Sequence, residues 1–446
     1  MWYFGCHVGL DFNYDPPLPI EDSEICCTAC SSISDSLGNL LFYSDGAHNY
    51  DRNQIEMPTS DEIGGYNHHT QSPIIIRKPN SNNLYYLFKM TGGGYSQELR
   101  YSVIDMNLNG GLGDISDLKG VVLMDSVCDK ITAVRHENGR DAWVITHSLA
   151  GNKFYSHLLT PDGVIAEPIV SEVGILIDNS EWDYYVNGQL QSSPLGNKIA
   201  MATRHNDFQV LDFDKSSGVI SNPITFPNIA IYPEWGQYGC EFSPSGELLY
   251  ITNPHFSPSY SLLYQYNLTA DDILGSEVII SNEEIVWGQM QIAPDGKIYI
   301  ACSGELFLSV IHDLDAIGTD CNLILESINL SEPEVLTHAS RGLPNLINTI
   351  HLEYLSVAQK LHQEKYTLSI FPNPYDHSQL LNFSRELKPQ TRISIYDVAG
   401  KIIFLNTDFS GSELRLNDQV LIPGIYFVYV ENNSSEKNDM FKLLVQ

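Results

Sequence analysis

The feature that most narrows the fold is an internal step of fifty residues. From position 193 the chain reads SPLGNKIAMA, from 243 SPSGELLYIT, from 293 APDGKIYIAC and from 343 LPNLINTI, which puts Pro194, Pro244, Pro294 and Pro344 in one phase. In the first three copies a Pro-to-Gly turn leads directly into β-branched and aromatic residues, the pattern of a tight turn between two strands. Looser copies start at Ser34 (SDSLGNLLFYSD), Lys78 (KPNSNNLYYLFKM) and His136 (HENGRDAWVITHS). Seven hairpins are expected, each followed by a further apolar or alternating segment such as FQVLDFD from 208 or LLYQYNL from 262. Repeats of roughly 40 to 50 residues with several short strands build propeller blades, small sheets that bury their faces only against their neighbours. The predicted fold class is therefore all-β, with a seven-bladed β-propeller over 1–354; six or eight blades are the alternative counts, because NLINTIHLEY from Asn345 could itself supply a second strand. Pro344 opens the last blade, and WYFG at 2 and GLDFN at 9 supply its middle strands. Closing the ring in this way leaves no free sheet edge.

Composition agrees and excludes several function classes. The 446 residues include 25 Tyr, 32 Gly and 22 Pro, as a turn-rich β protein requires. With 24 Lys plus Arg against 55 Asp plus Glu, the net charge of -31 opposes any general grip on nucleic acid or anionic lipid. No run approaches the roughly 18 apolar residues of a spanning helix. The start, MWYFGCHVGLDFN, has neither a basic n-region nor a long apolar h-region, so no secretory signal peptide is read there. Cys27 and Cys30 have CxxC spacing without a second half-site, which favours buried thiols or a disulfide over zinc. The adjacent His68 and His69 read as loop. The segments DLDAIGTD from 313 and NLNGGLGD from 107 lack the EF-hand spacing and read as solvated turns, so calcium has no pattern behind it and no metal or cofactor is expected. No nucleophile elbow, Walker loop, HExxH or sialidase-type Asp box is present, and no catalytic residue is assigned.

Beyond a polar linker at 355–366, LSVAQKLHQEKY, the character changes. Residues 367–446 alternate in short strands separated by turn residues, which predicts a small immunoglobulin-like β-sandwich. Four motifs stand in order there: Pro372-Asn373-Pro374; Tyr396-Asp397-Val398-Ala399-Gly400-Lys401; Pro423-Gly424-Ile425-Tyr426; and a closing Lys442-Leu443-Leu444-Val445-Gln446. This set resembles the type A C-terminal sorting domain of type IX secretion cargo in Bacteroidota. The blade sequences WYFGCHVGLDFN, SSISDSLGNLLFYSDG and KITAVRHENGRDAWVITH, with RGLPN near Arg341, resemble the uncharacterised propellers of gliding-motility-associated surface proteins in the same bacteria. The resemblance implies Sec-dependent passage of the inner membrane behind an N-terminal signal. It also implies engagement of the type IX machinery, removal of the sorting domain, and a final place on the outer surface or outside the cell.

The repeat also suggests a ligand face. Trp182, Trp235 and Trp287 fall before inner-strand turns, the last two in matching WGQ triplets, and His147, His205 and His255 follow the second strands of successive units. With Arg341 they would surround the tunnel mouth, where rings beside polar groups suit sugar or peptide. Packing between blades is the plainer role for such tryptophans. The functional expectation is an exported binding or adhesion module with a glycan or protein ligand. An enzyme on polysaccharide or peptide and a structural part of a surface assembly are the competing readings.

Overall fold

The computed structural model describes residues 1–347 and 370–446, apart from 22, 61–64, 66, 68, 93–96, 178–186, 204–206, 228–235, 257–258, 331–336, 372–374, 376–379, 398–400, 417–420, 422–423, 432–438 and 446. It divides into two compact units, Met1–Leu352 and Glu353–Gln446.

Among the described residues the first unit holds seven antiparallel sheets. Blade 1 has strands Trp2–Phe4, Val8–Asp11 and Leu18–Ile20; blade 2 has Ser31–Ser34, Leu40–Ser44 and Asn49–Asp51. Blades 3 to 7 begin with the inner strands Ile74–Arg77, Val127–Arg135, Leu190–Ser192, Cys240–Phe242 and Trp287–Ile292. Each is followed in order by the next strands of its sheet, and blades 3 and 4 gain a fifth strand, Val121–Asp125 and Ile169–Ile177, that the repeat did not announce. The hairpin turns are local chemistry. Gly38, Gly139, Gly196, Gly246 and Gly296 each donate a backbone hydrogen bond to the carbonyl three residues back, so the same turn recurs blade after blade.

Apolar clusters lie between blades, as stacking requires. Blades 2 and 3 share Phe42, Tyr85 and Leu87; blades 3 and 4 share Ile76, Phe88, Ile131 and Val144; blades 4 and 5 share Val134, Trp143, Ile199 and Leu211. At the seam Trp2 meets Tyr299 of blade 7 edge to face at 5.6 Å, and Tyr3 stacks on Tyr43 of blade 2 at 4.6 Å. Burying one such side chain stabilises by roughly 1.5–3 kcal/mol. Two buried lysines tie neighbouring blades: Lys89 Nζ donates to Gly46 O at 3.3 Å, and Lys130 Nζ to Gly188 O at 2.7 Å.

WYFG and GLDFN are indeed the middle strands of the closing blade. Its innermost member comes from the far end of the ring, where His338 pairs with Cys6 through two backbone hydrogen bonds. Pro344 differs from expectation. Among the described residues it opens no turn but lies parallel to Cys30 at the start of blade 2. The fifty-residue phase therefore stops after Pro294, because the last inner strand is only a bridge long before the chain turns inward.

The second unit is a five-stranded antiparallel sheet with strands Ile370–Phe371, Leu381–Asp397, Ile402–Leu414, Gly424–Glu431 and Asp439–Val445. Register shifts along the long second strand bend it, as bulges do. Both halves of that strand then contribute to one core with Phe383, Leu387, Ile393, Ile395, Val428, Val430 and Leu443.

Candidate functional site: a sealed axis and a cationic cleft on the hairpin face

The inner strands place polar side chains at alternate positions, so residues two apart face the ring axis together. Those side chains meet across it. Gln189 of blade 5 donates Nε2 to Met290 O of blade 7 at 2.8 Å, and Gln289 of blade 7 donates to Thr70 O, just before blade 3, at 2.5 Å. Gln71 completes the triangle, donating to Leu190 O and accepting from Leu190 N, both at 2.7 Å. Blades 3, 5 and 7 are not neighbours in the ring, so these bonds span the axis. A second layer centres on Glu241 of blade 6. Its carboxylate accepts from Gln191 Nε2 at 2.7 Å, Ile292 N at 3.1 Å and Phe242 N at 2.9 Å. All of these side chains are buried.

The segment after the closing bridge fills what remains. Arg341 O accepts from Gln289 N at 2.7 Å, and Leu343 N donates to Gln289 Oε1 at 3.0 Å. Asn345 N donates to Cys30 O, and Asn345 O accepts from Ser31 Oγ, both at 2.9 Å. The Asn345 amide reaches Gln71 O at 2.8 Å and Ile131 O at 2.9 Å. One buried asparagine thus joins blades 2, 3 and 4. Glycine is needed where backbones touch: a Cβ on Gly288 would strike Arg341 O, and one on Gly342 would overlap Thr28 O.

This filling decides where the sequence-derived site residues lie. Trp287 is fully buried, with its backbone N–H on Ser261 Oγ at 2.9 Å, and His147 is fully buried against Phe154 with Nδ1 on Ser148 O at 2.8 Å. Neither faces a mouth. The expectation that they present rings to a ligand is corrected, because both side chains are fully buried. Arg341 is half-buried and belongs to the axial segment. Trp182, His205 and Trp235 lie outside the described residues; His255 pairs in register with Tyr260, and its side chain is not described. Among the described residues no group of three or more His, Cys, Asp or Glu could hold a metal ion. Asp315 of the acidic loop DLDAIGTD accepts from Ser245 N and Oγ at 3.2 and 2.6 Å. Cys6 and Cys26 form a disulfide, while Cys27 and Cys30 are buried thiols in contact.

Burial pushes the His147 pKa down to about 4. The unfolded chain takes up this proton near 6.5 and the ring only near 4, so stability present above pH 6.5 is lost as pH falls between those values. The loss expected by pH 4 is up to about 3 kcal/mol. Urea unfolding at pH 7 and pH 4.5 reads it, and His147→Gln should flatten the difference; an unchanged slope would refute the assignment.

A concavity lies on the hairpin face between blades 3 and 4. It has a volume of about 470 Å³ and is lined by the turn Lys78–Asn82 on one side and by Arg135 and Gly139–Asp141 on the other, over a floor of Ile76, Ala142 and Ile347. Arg140 grips Asp141 through both oxygens at 2.7 and 3.0 Å, and Arg135 donates to Gly139 O at 3.2 Å. Sequence reading passed over this site, since its cations sit on two hairpins and form no local motif. The axial layer left a faint signal in the alternating Gln189-x-Gln191 and Gln289-x-Gln291.

In the second unit the expected motifs are structural. Asp397 N donates to Lys401 O at 3.0 Å and Lys401 N to Asp397 Oδ1 at 2.9 Å, closing the turn of the YDVAGK motif; residues 398–400 lie outside the described set. Tyr396 pairs with Ile402 and Phe427, Tyr426 is buried opposite Asp397 and Leu443, Gly424 pairs with Val445, and Lys442 with Phe427. Pro372, Asn373, Pro374, Gly400 and Pro423 are outside the described residues, as is the side chain of Lys442. This strand order carries the motifs in the sequence where comparison places a family. Residues 369–446 are a secretion system C-terminal sorting domain. The sorting domain makes the chain cargo of the type IX secretion machinery, directed to the cell surface or the medium. No helix among the described residues is long and apolar enough to cross a membrane.

Solved structures similar to the chain include a candidate 6-phosphogluconolactonase from Bacteroides fragilis, with 13% identity, a TM-score of 0.44 and coverage of 71% of this chain and 88% of that one. A luciferin-regenerating enzyme shows 13% identity, a TM-score of 0.37 and coverage of 72% and 95%. The Dos1 propeller shows 10% identity, a TM-score of 0.37 and coverage of 71% and 76%. The ring is established by its own strand pairing, and these likenesses add nothing to it about activity. No curated protein matches the sequence.

Proposed function

We propose that this protein is an exported binding and adhesion module, a rigid ring delivered by its sorting domain and presenting a glycan or protein ligand with its hairpin face. The observation that supports this is the sealed axis. The side chains of Gln71, Gln189, Gln289 and Asn345 spend their hydrogen bonds on backbone groups of other blades, so the ring interior is committed to holding seven blades together. A stack stiffened at its centre keeps outer loops in fixed relation, which lowers the ordering cost of binding. The cleft between blades 3 and 4 then offers a volume within the range of small-ligand sites.

Fractionation tests the route. Full-length chain should reach the cell surface or medium, while a chain lacking residues 367–446 should stay in the periplasm. Equal surface delivery of both would defeat the reading. Cells displaying the ring should also adhere to a surface that cells lacking it do not, and identical adherence would remove the binding role.

A further inference from the structure

The geometry points to the cleft between blades 3 and 4 as a binding site for an acidic saccharide, one whose sugar rings carry carboxylate or sulfate groups. This rests on the reading of the ring as a binding module and names its ligand class. Four of the cleft's lining residues, Arg77, Lys78, Arg135 and Arg140, are cations, against the single carboxylate of Asp141. The surplus stands in a chain with only 24 basic residues and a net charge of -31, so the local sign is the reverse of the protein's. A solvated face of this protein would be expected to be acidic. Asp141 is itself buried and held by Arg140 and by Asn138 Nδ2 at 2.8 Å, so it is already satisfied and adds little repulsion.

Arg77 is exposed, Lys78 half-buried, and among the described residues no carboxylate pairs with either. Guanidinium groups match carboxylate and sulfate with paired hydrogen bonds, and a cation without an internal partner is available to do so. The neutral lining decides between anions. Asn80 and Asn82 are exposed on the same turn, and their amides make no hydrogen bond to another described residue. Amides beside cations suit a ligand that alternates hydroxyls with fixed negative charge. The lining contains no aromatic platform and only a small aliphatic floor of Ile76, Pro79, Ala142 and Ile347, which suits a thin polar chain better than an apolar peptide anchor. The volume of about 470 Å³ accommodates one or two sugar units.

The test uses the full chain and three probes: hexagalacturonate, a heparin hexasaccharide and neutral cellohexaose, with binding followed by calorimetry at low and at 0.5 M salt. Hexagalacturonate or the heparin hexasaccharide should bind, the stronger of the two identifying carboxylate or sulfate as the recognised group. Cellohexaose should not bind, and high salt should weaken the acidic probes. Arg77→Ala with Lys78→Ala should weaken the acidic probe ~10-fold or more without moving the unfolding midpoint, because both side chains are at the surface. Asn80→Ala with Asn82→Ala gives an independent variant that keeps all charge and should also weaken it. Failure of both acidic probes to bind, or binding untouched by both variants, overturns the assignment. Variant-independent binding, or binding of cellohexaose, would leave a binding module with its site elsewhere, whereas loss of cellular adherence with no probe bound would remove the module as well.

Discussion

A chain ending at Ser340 is expected to be far less stable than one ending at Leu352. The longer chain retains the whole axial segment; the shorter loses Leu343 and Ile347, both buried, and the Asn345 amide that joins blades 3 and 4. Two buried aliphatic side chains contribute roughly 1.5–3 kcal/mol each, and stranding a buried carbonyl or amide costs about 1–3 kcal/mol. The expected loss is therefore about 5 kcal/mol or more, read as a drop in urea midpoint. Gly342→Ala in the full chain should act in the same direction, since its new methyl overlaps the Thr28 carbonyl. Equal midpoints for the two chains would mean that the segment merely occupies the axis. The same result bears on processing. A chain cut beyond Ile347 should keep the ring closed, while a cut before Asn345 should open it.

The second large effect is expected at the Cys6–Cys26 disulfide, which closes a loop of sequence separation 20. It stands at the seam: Cys6 carries the bridge to His338, His7 N donates to Ile25 O at 2.8 Å, and Cys27 N donates to Gly5 O at 3.0 Å. Restricting the unfolded chain by a loop of this size contributes about 3 kcal/mol, and an exported protein matures where such a bond persists. Cys26 is exposed, so reductant can reach it. Denaturant titration with and without dithiothreitol, and with Cys6→Ala plus Cys26→Ala, should show the loss in both. Stability insensitive to reduction and substitution alike would refute the clasp.

The contrast between Pro294 and Pro344 shows how far periodicity reaches. Pro294 sits in a turn closed by Gly296 N on Ala293 O, an interaction three residues long that the letters APDG announce. Pro344 has the same spacing and similar neighbours, yet its partner is Cys30, more than three hundred positions away, and no local pattern encodes that meeting. The positions of Trp287 and His147 failed for a related reason. Alternation says that Trp287 points to one side of its strand, but whether that side is solvent or the next blade depends on the blade that stacks there.

By itself the sequence determined the all-β class, the hairpin turns and the N-terminal middle strands of the closing blade, while the sorting domain was legible through the family resemblance that its ordered motifs carry. The turns and strands depend on turn chemistry and two-residue alternation, which act over a handful of positions. Tertiary structure alone decided that the axis is sealed, that Asn345 joins three blades, and that Arg77, Lys78, Arg135 and Arg140 share one cleft. Asn345 and Gln71 stand 274 positions apart and meet only when seven sheets have closed around them. Long-range proximity is set by the summed stacking of every blade, and no window of residues carries that sum.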